Sequence, residues 1–125
     1  MKIGDVRSWR RTFTEDDVRA FAAVSGDNGE HHFLRDAKGR LLIHGLLTAT
    51  LPTKIGGDLN FIARELDFRF HRPVFAGDTI ECTVTLISMK LRDGYTDVVT
   101  DWKCTNEDGK EVMTGTGSGI IRDKH

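Results

Sequence analysis

The stretch Ser25-Gly26-Asp27-Asn28-Gly29-Glu30-His31-His32 gathers carboxylates and imidazoles in one short, turn-rich segment. A carboxylate and an imidazole that share a water molecule can take or give its proton while holding its oxygen, the minimum equipment for hydration, dehydration or hydrolysis. Asp27 and His32 are the candidate pair; the plainer alternative is an acid just past a helix end beside a surface histidine. His31, His32, Asp27 and Glu30 do not make a recognisable metal-ligand spacing and no second cluster completes one, so no metal is expected. The Gly115-Thr116-Gly117-Ser118-Gly119 run lies in a strand-like segment with no helix after it, which removes the phosphate-loop reading.

Two helices and several strands are expected to position these residues. Thr14-Glu15-Asp16-Asp17 reads as a capped helix start, Val18, Phe21, Ala22 and Ser25 mark one face, and Gly26 ends the helix. Asp27 thus follows immediately beyond a rigid element. The segment Leu41–Leu51 is apolar on nearly every side and predicts a second helix enclosed by the rest of the protein. Pro52 is expected to distort or end it, leaving Lys54 to Asn60 as a loop.

From Phe61 the period becomes two. Leu66, Phe68 and Phe70 alternate with Asp67, Arg69 and His71, and Ile80, Cys82, Val84 and Leu86 alternate with Glu81, Thr83 and Thr85. Further strands are predicted over Tyr95–Cys104 and Glu111–Arg122, after the turns Asp93-Gly94 and Asn106-Glu107-Asp108-Gly109. Met113, Gly115, Gly117, Gly119 and Ile121 share a face whose glycines invite close packing, with the apolar helix as the expected partner. The fold class is therefore α+β, one antiparallel sheet curled around a buried helix.

At 125 residues the chain has the size of one domain, 1–125, with a core that needs no staple. Lys+Arg 18 against Asp+Glu 19 leaves a net charge of −1, and no basic run exceeds Arg10-Arg11, which argues against a nucleic-acid partner. Met1 to Trp9 has no signal-peptide core and no run is long enough to span a bilayer, so a soluble, cytoplasmic protein is expected. Cys82 and Cys104 read as buried thiols; a disulfide would require their strands to be neighbours.

In order and spacing, Arg11-Thr12-Phe13-Thr14, Asp17-Val18, Phe21-Ala22, Ser25-Gly26-Asp27 with His32, His44-Gly45-Leu46-Leu47, Arg72-Pro73-Val74 and Gly77-Asp78-Thr79 resemble the MaoC-type branch of the hot-dog fold, the (R)-specific enoyl-CoA hydratases and related dehydratases. The likeness runs through nearly the whole chain. That family's motif S-G-D-x-N-P-x-H sets aspartate and histidine five positions apart, which selects His32 and leaves His31 as a structural or surface residue. The resemblance implies that Asp27 and His32 activate the water added across an enoyl double bond. It further implies that the Gly45 amide binds the thioester oxygen, a role that suits a fixed donor near a helix start, and that Thr53 supports the site. Arg69 and Arg72, and Lys54 with them, are candidates for the phosphates of coenzyme A, against the plainer reading of a solvated strand face. His44 reads as a residue closing the helix start. Two departures stand out: Gly29-Glu30 replaces the family's Asn-Pro, and the stretch from His32 to Gly45 is short.

The function implied is a hydro-lyase that reversibly hydrates trans-2-enoyl thioesters to (R)-3-hydroxyacyl thioesters. No metal or redox cofactor is called for, and coenzyme A or an acyl carrier enters as part of the substrate. A homodimer or higher homo-oligomer is expected, with no membrane partner. The alternatives are a hot-dog acyl-CoA thioesterase and a non-catalytic acyl-CoA-binding module.

Overall fold

The structure, a computed structural model, describes residues 1–123. Strand β1 (Val6–Thr12) leads through the buried Phe13 to helix α1 (Glu15–Ser25); a 3-10 turn (Glu30–His32) and two short helices, α2 (Gly45–Thr48) and α3 (Thr50–Asp58), follow. Strands β2 (Phe61–Phe70), β3 (Thr79–Leu91), β4 (Tyr95–Thr105) and β5 (Glu111–Arg122) complete one five-stranded sheet in the order β1-β3-β4-β5-β2, all neighbours antiparallel. The sheet curls around α3 as the hot-dog architecture requires. Val18, Ile43, Leu51, Ile55, Ile80, Val84, Val112 and Met113 form the core between them, each buried aliphatic side chain contributing about 1.5–3 kcal/mol relative to exposure.

Helix α1 has the expected ends. The Thr14 hydroxyl accepts from the Asp17 amide at 3.1 Å and the Asp17 carboxylate accepts from the Thr14 amide at 2.9 Å, a reciprocal capping box. Gly26 terminates it in the left-handed region at φ 75°, donating to the Ala22 carbonyl.

The second helix departs from expectation at both ends. Leu41–His44 is extended, because Ile43 donates to the Val74 carbonyl and Ala76 to the Leu41 carbonyl, so these residues join the sheet-side core as a bridge opposite Phe75. At the other end Pro52 and Gly56-Gly57 are helical, within α3. Pro52 is tolerated as the third residue of α3, where amides have no acceptor within the helix. Its ring is incompatible with the carbonyl four residues back, that of Thr48, which is where α2 ends. The break is stitched by side chains: the Thr50 hydroxyl donates to the Leu47 carbonyl and that of Thr53 to Ala49. Asn60, in the left-handed region at φ 56°, closes α3.

The glycine face of β5 does accept a close neighbour, but not the helix. A Cβ at Gly115 would lie 2.0 Å from the Asp67 carbonyl oxygen and 2.8 Å from Trp102 Nε1; one at Gly117 would lie 2.8 Å from Trp102 Cζ3; one at Gly119 would lie 2.0 Å from the Ile62 carbonyl oxygen. The indole of Trp102, from the neighbouring strand, and the backbone of β2 occupy that space. A register shift between Ala63 and Glu65 precedes the alternating run of β2, an edge strand whose Leu66 and Phe70 are about half exposed (47% and 53%). Cys82 and Cys104 are register partners on β3 and β4, both free and fully buried. Burial and the facing Cys104 thiol, the latter foremost, push the Cys82 thiol well above its ordinary pKa.

Candidate active site

The loop after α1 is built from local hydrogen bonds. The Asp27 amide donates to the Ser25 hydroxyl (3.0 Å), the Asn28 side-chain amide to the Gly26 carbonyl (3.3 Å), and the Gly29 amide to Asp27 Oδ1 (3.1 Å). The last bond is a side-chain turn that orients the carboxylate while Oδ2 lies 3.7 Å from His32 Nε2. His32 is buried and Asp27 half exposed, so the carboxylate faces both solvent and the imidazole.

Two backbone carbonyls decide the tautomers. His32 Nδ1 lies 2.8 Å from the Leu42 carbonyl oxygen, which only accepts, so Nδ1 carries the proton and Nε2 of the neutral ring presents a lone pair toward Asp27. His44 Nε2 lies 3.0 Å from the Asp27 carbonyl oxygen, so it too is the donor, and the buried His44 Nδ1 has no partner among the described residues. The two rings stack at 3.7 Å with an 18° inclination. His44 does stand at the N-cap of α2, as expected, but its side chain makes no capping bond there. It ties down the loop that carries Asp27.

Ligand atoms of Asp27, His32 and His44 lie within 4.8 Å of one another. A metal ion sits in the plane of each imidazole that binds it, and the planes of two rings stacked this nearly parallel do not meet beside them. The stacking thus suits the triad to holding water or a proton better than to chelation.

Gly45, next to His44, is the first residue of α2, where an amide has no acceptor within the helix. Its missing side chain admits Phe70, whose ring would lie 3.0 Å from a Cβ. Thr53 lines an apolar chamber of about 230 Å³ between α3 and the inner sheet face, walled by Ile55, Gly56, Phe61, Leu66, Phe68 and Trp102. Asp27, His32 and His44 are thus gathered, with Gly45 next in sequence; the Phe70 ring against Gly45 stacks on Phe68, which lines the chamber.

The cationic candidates are not gathered. Arg69 shares an exposed outer depression with Asp67 and Thr114, and the Arg72 guanidinium donates to the Glu111 carbonyl at 2.6 Å. Lys54 lies over the Trp9 ring at 4.5 Å and pairs with Asp58. His31 sits on a 3-10 turn instead of extended backbone; it is exposed, yet its ring is 4.0 Å from that of His32. The sequence reading missed His44 as part of the site, and the signal it offered was adjacency to Gly45.

Known proteins resemble this chain along nearly its whole length. Over 97% of its length the chain is 28% identical to a mitochondrial 3-hydroxyacyl-[acyl-carrier-protein] dehydratase of Arabidopsis thaliana, covering 78% of that protein. It is 27% identical over the same share to an (R)-specific enoyl-CoA hydratase of Rhodospirillum rubrum, covering 88% of it. The fold matches that of the unliganded R-hydratase PhaJ1 from Pseudomonas aeruginosa with a TM-score of 0.81 at 24% identity, covering all of this chain and 84% of that one. The model of the FAS1-like dehydratase domain region matches residues 2–115, a span that contains the Asp27 loop, His44, Gly45 and most of the sheet, and the chain belongs to that family.

Proposed function

We propose that this protein is a hydro-lyase that reversibly adds water to a trans-2-enoyl thioester, giving the (R)-3-hydroxyacyl thioester. The observation that carries the reading is the pairing of Asp27 Oδ2 with His32 Nε2 across 3.7 Å, with the His32 tautomer set by Leu42. Two acceptors at that separation do not bond each other. Each instead accepts one O–H of a single water at about 2.8 Å, which leaves the water's own lone pairs directed outward at an electrophilic carbon.

In hydration, the water oxygen bonds to the β-carbon while Asp27 takes one water proton and His32 holds the other. The double-bond electrons move to the α-carbon and the thioester oxygen, and the Gly45 amide donates to that oxygen as it becomes negative. Asp27 then returns its proton to the α-carbon, so one H and one OH have been added and the site is restored. Dehydration is the reverse. The thioester itself acidifies the α-position, so the chemistry asks for no metal or redox cofactor. The apolar chamber beyond Phe68 takes the acyl chain, with coenzyme A or an acyl carrier as the thioester's other half.

The exposed edge of β2, with Ile62, Leu66 and Phe70 about half uncovered, suits pairing with a second copy, since an unpaired strand edge is a template for another. None of the described helices is long and apolar enough to cross a membrane. The facing thiols of Cys82 and Cys104 fit a reducing compartment, the cytoplasm by our reading.

The test is incubation of the purified protein with crotonyl-CoA and longer enoyl-CoAs, following loss of the enoyl absorbance and, in parallel, free thiol. Hydration without thiol release, and its loss in Asp27→Ala, is expected. Thiol release would favour the thioesterase, and absence of turnover at every chain length would sink the reading.

A further inference from the structure

His31, which the mechanism above does not use, packs against the His32 ring. The His32 ring is covered on one face by His44 at 3.7 Å, and His31 approaches from elsewhere at 4.0 Å with a 51° inclination; His44 in turn meets Phe21 at 4.9 Å. The imidazole of His32 therefore stands within a run of four rings, of which His31 is the exposed end.

Gly29 supplies an independent observation. Its φ of −55° and ψ of 137° suit any residue, so the backbone does not call for glycine there. Space does. A Cβ on residue 29 would lie 2.7 Å from His31 Cε1, 3.2 Å from His31 Nδ1 and 3.3 Å from Asp27 Oδ1. The imidazole of residue 31 thus fills the volume that a side chain at 29 would take, against the turn in which the Gly29 amide donates to Asp27 Oδ1.

We propose that His31 is a positioning residue of the hydration site, bracing Gly29 and through it the orientation of the Asp27 carboxylate toward His32. The proposal rests on the reading of Asp27 and His32 as the reacting pair. Gly29 and His31 act as a complementary couple: the absent side chain of one is occupied by the ring of the other. Without the ring, Gly29 regains the freedom of an unhindered glycine, and the bond that fixes Oδ1, hence the aim of Oδ2, loosens.

The experiment compares wild type with His31→Ala, His31→Phe, Gly29→Ala and the Gly29→Ala/His31→Ala double variant, all as full chains. Enoyl-CoA hydration kinetics are read beside hydrogen exchange of the Gly29 amide. His31→Ala is expected to lower kcat about tenfold with KM changed less than about twofold, a modest share of what an ångström of misplacement costs, and to speed Gly29 exchange about tenfold. His31→Phe, which keeps a ring in the gap, restores most of both. Gly29→Ala displaces the exposed His31 ring and sets a Cβ 3.3 Å from Asp27 Oδ1; its effect on kcat is smaller once His31 is alanine, where only the carboxylate contact remains. Wild-type kcat and unchanged Gly29 exchange in His31→Ala, or an equal Gly29→Ala penalty in both backgrounds, would overturn the proposal. Should the wild type not turn over enoyl thioesters, the hydration reading fails, while the exchange data still decide whether His31 braces the loop.

Discussion

Replacing His44 with phenylalanine separates a packing role from a positioning one, because the two predict opposite pairs of outcomes. His44 is 2% exposed, so the substitution is felt in the interior. A phenyl ring keeps the stacks on His32 and Phe21 but loses the Nε2 donation to the Asp27 carbonyl. Losing that bond costs about 0.5–1.5 kcal/mol. Against it, the unpartnered Nδ1 disappears, and an unsatisfied buried polar atom costs about 1–3 kcal/mol to keep. The larger ring takes back part of that gain as overpacking, typically ~1 kcal/mol or more. These contributions nearly cancel, and at roughly 4 °C per kcal/mol for a chain of this size Tm should stay within about 5 °C of wild type. The loop that carries Asp27, however, loses its anchor, so kcat should fall about 10–100-fold with little change in KM. Thermal unfolding and steady-state hydration on the same preparation decide it. A Tm lowered by more than about 10 °C with unchanged kcat would refute the reasoning and make His44 a core residue only.

Other outcomes follow from separate parts of the molecule. Gly119→Ala sets a Cβ 2.0 Å from the Ile62 carbonyl oxygen, which forces β2 and β5 apart; a loss of at least ~2 kcal/mol is expected in urea unfolding. Gly56→Leu projects a side chain from α3 into the chamber, where a Cβ at Gly56 meets only Phe61, at 3.6 Å and beyond; kcat/KM for long enoyl chains should fall well below that for crotonyl-CoA, and an unchanged chain-length profile would detach the chamber from the substrate. Acid weakens the segment after the loop. The Arg35 guanidinium, hydrogen-bonded to Glu15, holds that carboxyl below its usual value, and the Arg40 amide and then its guanidinium do the same for Asp36. A folded-state value below the unfolded one stabilises at pH above the ordinary carboxylate range and is lost as pH falls through the lowered value, so protection of the 33–40 segment in hydrogen exchange should drop below that range and not at neutral pH.

Several features whose partners are close in sequence are legible in it, and several whose partners are distant are not. Thr14 with Asp17, the left-handed Gly26 and the five-residue step from Asp27 to His32 are short-range facts, and each reappears in the structure. Strand β1 went unread because Arg7, Arg10 and Arg11 hide its alternation, and only pairing with β3 declares it. The glycines of β5 correctly announced a close approach, but their occupant, Trp102, is set by the register of β4 against β5, which no local pattern encodes. The fit of His31 over Gly29 is likewise a matter of ring placement and not of propensity.

The segment Leu41–His44, extended where its composition predicts a helix, is the one on which the proposed chemistry depends. Had these residues continued the helix, the Leu42 carbonyl would have accepted from the amide four residues on, within the helix. Held extended by Val74 and Phe75, it is left free to accept from His32 Nδ1. That bond fixes a proton on Nδ1 and leaves Nε2 as the ring nitrogen facing Asp27. The same extension delivers His44 beneath His32 and starts the helix at Gly45, so that its amide lies in a first turn with no acceptor of its own. Apolar composition favoured a helix over Leu41–His44; tertiary hydrogen bonds to the β2–β3 connection overrode it, and the override sets the proton on His32 Nδ1, the anchor of the Asp27 loop and the first-turn amide of Gly45 at once.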